Sequence, residues 1–185
     1  MRWVRRNISV IFGDGAGAVV LTQTKDENKG ILSSHLYSQG KYAEELSLIG
    51  PNTGRWVPEI MELNDPEDIS YYPYMNGQFV FKNAVVRFAE VIQEGLEKTG
   101  WTADQINLLV PHQANLRIAQ FVQKKFRLGD DQVYNNIQRY GNTTAASIPI
   151  ALTEAWEEGK VKEGSKVVLA AFGSGFTWGS VMIQW

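Results

Sequence analysis

Downstream of Phe79 the apolar residues change repeatedly between helical and strand spacing, and this alternation limits the chain to a layered α/β body. Phe81, Val85, Phe88, Ile92 and Leu96 keep one face of a helix, while Lys82, Arg87, Glu90 and Glu94 fall elsewhere, and Gly100 is a natural stop. Residues 106–110 read as a short buried strand ended by Pro111. Leu116, Ile118, Ala119, Val122 and Phe126 predict a second helix, closed near Gly129. Val133, Tyr134 and Asn135 fit a brief strand, and 143–158 a third helix with Pro149 near its start and Gly159 at its close. Residues 167–172 form an apolar strand, and 176–185 follow a glycine turn as its antiparallel neighbour. Helix, strand, helix, strand, helix, strand, strand predicts a mostly parallel sheet covered by helices.

Upstream the pattern is less regular. Residues 8–12 and 18–22 are rich in β-branched residues and read as strands on either side of a glycine turn, and 31–37 as a third. From 38 to 73 the punctuators Gly40, Gly50, Pro51, Gly54, Pro58, Pro66 and Pro73 predict a long irregular excursion, with short strands at 46–48 and 60–63. Loops of this length are usually functional or pack on a neighbouring body.

Composition closes several routes. With 44% hydrophobic and 21% charged residues the 185-residue chain is globular rather than disordered. A net charge of −2 gives no overall attraction to nucleic acid or to an anionic membrane. The basic lead of Arg2, Arg5 and Arg6 runs into an apolar stretch that stops at Gly13, too soon for a secretory segment, so a cytoplasmic location is expected. The chain has no cysteine, which removes disulfides, thiolate metal sites and any cysteine nucleophile from its own residues.

Chemistry then concentrates at the ends of elements. The run Gly13-Asp14-Gly15-Ala16-Gly17-Ala18 lacks the third glycine of a dinucleotide loop and is not followed by a helical pattern, so it reads as a close-packed turn. Of the two histidines, His35 lies in a strand-like run and reads as a packed or surface residue. His112 directly follows a strand and Pro111, where α/β folds place their sites, although a structural role is equally open. Asn142, after Gly141 and before a run of small residues, either caps a helix or points its amide at a substrate oxygen. The turn Gly173-Ser174-Gly175 is either a plain hairpin or a source of backbone N–H donors for an oxyanion.

Three stretches carry a family resemblance. Val110-Pro111-His112-Gln113-Ala114-Asn115-Leu116-Arg117-Ile118, Gly141-Asn142-Thr143-Thr144-Ala145-Ala146-Ser147-Ile148-Pro149 and Ala171-Phe172-Gly173-Ser174-Gly175-Phe176-Thr177-Trp178-Gly179 closely resemble the C-terminal half of β-ketoacyl-acyl carrier protein synthase III. Residues 12–18 resemble that family's glycine turn near its midpoint, and the likeness is loosest over 41–74. The resemblance implies the C-terminal half of a thiolase-like α/β fold, a mixed sheet with helices layered on both faces. It divides the chain into 1–24, the last strand region of the N-terminal half; 25–78, connecting strands and the irregular excursion; and 79–185, the C-terminal half proper.

It also implies an acyltransferase that condenses an acyl-CoA starter, typically acetyl-CoA, with malonyl-acyl carrier protein, in a homodimer and without a cofactor or metal. The implied catalytic residues are His112 and Asn142, with the backbone N–H of Ser174 in an oxyanion hole. The implied pantetheine contacts are Gly77, Phe81, Ala114 and Asn115, with Gln78 standing where the family usually has asparagine. Lys82, Arg117, Lys124 and Lys125 would form a basic rim for the acidic carrier protein. The family's cysteine belongs to its first half, so this chain alone is expected to be inactive and to need that missing half as a partner. Two other readings remain: a non-catalytic carrier-binding or partner subunit, and a related acyl-transferring enzyme.

Overall fold

The centre of the molecule is a four-stranded mixed sheet. The computed structural model describes residues 8, 10–48 and 73–185, and within them the sheet consists of β1 (Gly30–Ser38), β4 (Leu108–Pro111), β5 (Lys166–Gly173) and β6 (Thr177–Gln184), in the order β1-β6-β5-β4. Only β4 and β5 run parallel; β5 pairs antiparallel with β6, and β6 antiparallel with β1. The expectation of a mostly parallel sheet is therefore corrected. The hairpin after Gly173 and the return of β1 along β6 make antiparallel pairing dominant. Two short strands, β2 (Leu46–Ser47) and β3 (Tyr74–Met75), pair separately at the two ends of the irregular excursion. The expected strand at 60–63 lies outside the described residues.

Strand alternation sends successive side chains to opposite faces, and each face has its own core. Leu109, Val168, Ala170, Phe172 and Met182 join the larger cluster beneath α1 (Gly77–Thr99) and α2 (Leu116–Phe126). Leu108, Val110 and Val167 face the other way and pack with Ala151, Leu152 and Ala155 of α4 (Ser147–Glu157). Helices thus cover both faces, as the family resemblance implied. Phe88 and Ile92 on α1 are buried at the sheet, each burial stabilising by about 2–3 kcal/mol. Gly95 lets α1 sit this low, because a Cβ there would overlap the Met182 side chain.

Caps set the helix limits. Asn76 starts α1 by accepting from the Phe79 amide at 3.4 Å, and Gly100 ends it in the left-handed conformation. Pro149 sits in the first turn of α4, where no intrahelical N–H is needed. Val133 makes only a single bridge to Leu109, so the brief strand expected there is reduced to one residue.

The amino-terminal strands are the larger difference. Residues 18–22 form no strand: Val19, Val20 and Leu21 are exposed and have no ladder partner among the described residues. Of the described residues in 8–12, only Phe12 makes a bridge, to Asn142. β-Propensity alone does not make a strand; it needs a pairing partner, and residues 18–22 have none among those described.

Candidate active site

A cavity of about 980 Å³, mostly apolar, opens at the ends of β4 and β5. His112 reaches it because β4 ends at Pro111. The His112 N–H still donates to Ala170 O at 2.8 Å, and the chain then turns, with Ala114 N–H donating to His112 O at 2.9 Å. The imidazole is half-buried and its Nδ1 lies 2.6 Å from Ser147 Oγ. Burial disfavours the imidazolium and pushes the pKa down to about 4, so the ring is neutral around neutrality. A neutral imidazole has one N–H to donate and one lone pair.

Asn142 lines the same cavity. Its Oδ1 accepts from the Thr144 amide at 2.9 Å, and Nδ2 has no partner among the described residues. The two readings left open by the sequence are thus compatible, since the oxygen caps a turn while the NH₂ remains available. The loop is held by the glycine turn: Asn142 N–H donates to Ile11 O at 2.8 Å and Gly13 N–H donates to Asn142 O at 3.0 Å. A Cβ at Gly13 would overlap the Tyr140 carbonyl oxygen, and one at Gly17 would overlap the Pro149 ring. The close approach expected of these glycines is real, although they pack against the Asn142 loop and α4 rather than between two strands. The loop itself joins a helical turn, α3 (Ile137–Tyr140), to α4.

Two polar side chains inconspicuous in the sequence, the buried Gln113 and the partly buried Glu154, tie these loops together. Gln113 is 3% exposed and uses its whole amide. Nε2 donates to Pro111 O (2.7 Å) and Tyr134 O (3.3 Å), and Oε1 accepts from the amides of Asn136 (3.0 Å) and Ile137 (3.2 Å). Glu154 on α4 receives Asn136 Nδ2 and Arg139 Nη2, each at 2.7 Å, and the Tyr140 hydroxyl. Burial pushes the Glu154 carboxyl up, but the Tyr140 and Asn136 hydrogen bonds and the Arg139 charge outweigh it and hold the pKa below the usual range. The segment leading into Asn142 is therefore fixed to the His112 turn on one side and to α4 on the other. Gln113 lay within a recognised motif; its burial, the telling property, is set by tertiary packing.

The remaining candidates divide into two groups. Gly77 and Phe81 at the start of α1, and Ala114 and Asn115 before α2, line the cavity, and so does Ser174 in the β5–β6 turn. Asn115 also caps α2, accepting from the Arg117 amide at 2.9 Å. Gln78, Lys82, Arg117, Lys124 and Lys125 are exposed and lie outside the cavity lining. His35 sits on β1 with Nδ1 3.2 Å from Glu94 on α1 and is not itself part of the cavity lining, although the adjacent Leu36 is. Among the described residues no group of three or more histidine, aspartate or glutamate side chains could hold a metal ion.

Comparison with known proteins settles the family. The model of the 3-oxoacyl-[acyl-carrier-protein (ACP)] synthase III C terminal matches residues 96–185, and that of 3-oxoacyl-[acyl-carrier-protein (ACP)] synthase III matches residues 1–40. The chain belongs to the 3-oxoacyl-ACP synthase III family. The β-ketoacyl-[acyl-carrier-protein] synthase III of Rhodospirillum centenum is 42% identical over 99% of this chain and 54% of its own length. That of Roseiflexus castenholzii is 43% identical over 100% of this chain and 54% of its own. The crystal structure of 3-oxoacyl-[acyl-carrier-protein] synthase III from Aquifex aeolicus superposes with a TM-score of 0.85 at 41% identity, covering 100% of this chain and 53% of the other. The chain thus spans about half the length of the relatives it matches, and its fold is the thiolase-like α/β fold.

Proposed function

We propose that this chain supplies the decarboxylation half-site of a β-ketoacyl-ACP synthase III that joins an acyl-CoA starter, acetyl-CoA, to malonyl-ACP. The observation that carries the reading is that one apolar cavity is lined by a neutral imidazole, His112, and a carboxamide with a spare NH₂, Asn142. Two uncharged donors lining one cavity suit an oxygen that gains negative charge during reaction. Malonyl loses carbon dioxide, the electrons of the broken C–C bond move into the thioester carbonyl, and His112 Nε2–H and Asn142 Nδ2–H stabilise the resulting enolate oxygen. Low polarity favours loss of the carboxylate as neutral carbon dioxide.

The enolate carbon then attacks an acyl thioester, forms the new C–C bond and expels a thiolate. That thioester resides on a cysteine outside this chain, which has none. The thiolate first takes the acyl group from acyl-CoA, releasing CoA. The Ser174 N–H serves the oxyanion of the acyl carbon. Gly77, Phe81, Ala114 and Asn115 accommodate the pantetheine arm, with Gln78 at its mouth. Lys82, Arg117, Lys124 and Lys125 face the acidic carrier protein. The exposed Val19, Val20 and Leu21 form part of the surface that the cysteine-bearing portion covers, in a cytoplasmic homodimer.

The test is a fusion in which the N-terminal portion of the Rhodospirillum centenum relative precedes this chain. Decarboxylative condensation by the fusion supports the proposal. Carrier binding without condensation, in a fusion that still forms the acyl-cysteine, refutes it.

A further inference from the structure

The His112 ring has two nitrogens, and only one has a partner among the described residues. Nδ1 lies 2.6 Å from Ser147 Oγ, and Ser147 is 2% exposed. The same Ser147 oxygen accepts the Gln113 backbone N–H at 3.3 Å. A serine hydroxyl has one proton and two lone pairs. With one lone pair taken by Gln113, its proton needs an acceptor, and among the described residues His112 Nδ1 is the one within reach. The opposite arrangement, Nδ1–H donating to Ser147, would leave a buried hydroxyl proton unpaired, which is disfavoured.

We propose that Ser147 is a positioning residue whose hydroxyl donates to His112 Nδ1 and thereby holds the neutral imidazole as the Nε2–H tautomer. The only N–H of the ring is then the one left for the cavity. The other tautomer would present a lone pair there and repel a developing oxyanion. Ser147 occupies the first turn of α4, five residues after Asn142, so the element that follows one proposed donor also sets the proton of the other. The tautomer follows from the hydrogen-bond geometry alone; its catalytic use rests on the function proposed above.

Nitrogen-15 NMR of the imidazole rings in the full chain at neutral pH tests this without any activity assay. Only two histidines contribute, and His112→Gln assigns the signals. The expected spectrum shows His112 with unprotonated, hydrogen-bonded Nδ1 and protonated Nε2, in at least about tenfold excess over the other tautomer. In Ser147→Ala the Nδ1 resonance moves to that of a nitrogen without a donor and the minor tautomer grows; Ser147→Thr, which keeps the hydroxyl, restores the original pattern. A protonated Nδ1 in the unsubstituted chain overturns the proposal, whatever the variants do. So does a spectrum that Ser147→Ala leaves unchanged.

Discussion

Replacing Gln113 by methionine keeps the length and apolar bulk of the side chain and removes its polar end. The amides of Asn136 and Ile137, both now donating to Gln113 Oε1, lose their acceptor in a region where Gln113 is 3% exposed. Each orphaned buried N–H costs about 1–3 kcal/mol. The carbonyls of Pro111 and Tyr134 lose a donor as well, at smaller cost because a carbonyl tolerates under-satisfaction better than an N–H does. Gln113→Met should therefore destabilise the chain by about 4 kcal/mol, a large share of the stability of a typical domain. Urea denaturation followed by tryptophan fluorescence measures it through the shift in midpoint at constant slope. A change below about 1 kcal/mol would refute the reasoning, because it would mean that water or another side chain satisfies those amides as well as Gln113 does.

Three further outcomes are expected. The folded pKa of His112, about 4, lies below the ordinary 6.5, so between those values the unfolded chain binds a proton that the folded chain refuses; stability falls as pH drops through this window, by up to about 3 kcal/mol, and is unaffected by this group above it. Denaturation midpoints of the parent and of His112→Gln across that range should diverge at the acid end, and parallel curves would contradict the assignment. Gly13→Ala pushes a methyl group into the Tyr140 carbonyl and should cost about 1–3 kcal/mol, read by denaturation together with a shifted Asn142 amide signal. Reversing charge at Arg117 and Lys124 should weaken binding of an acidic carrier protein about tenfold at low salt and much less at high salt, as measured by calorimetry with the fusion.

The elements with strong periodicity were legible in the sequence. The apolar face of α1 with Gly100 at its end, the position of α2, and the β5–β6 hairpin all follow from spacing and punctuation, which are local properties. Sheet direction was not legible, because β1 reaches β6 through a pairing of distant residues that no local pattern records. The strand expected at 18–22 failed for a related reason: those residues have strand propensity, but they pair with no strand among the described residues, and pairing is a tertiary property. At the site, His112, Asn142 and Ser174 were visible as residues at turn positions, and the structure places all three on one cavity. Gln113, Ser147 and Glu154 were not singled out. Their part depends on burial and on partners up to 35 residues away, and an uncharged polar residue beside a turn looks the same in sequence whether it is solvated or saturated.

The most direct test of the His112–Asn142 pairing is a double-mutant cycle on malonyl decarboxylation in the fusion, with acyl-cysteine formation followed separately. His112→Ala and Asn142→Ala should each lower decarboxylation by about 10²-fold or more, leave acyl transfer to the cysteine largely intact, and together lose little beyond the worse single variant, since both donors serve one oxygen. Fully multiplicative losses, or near-normal decarboxylation in either single variant, would contradict a shared oxyanion.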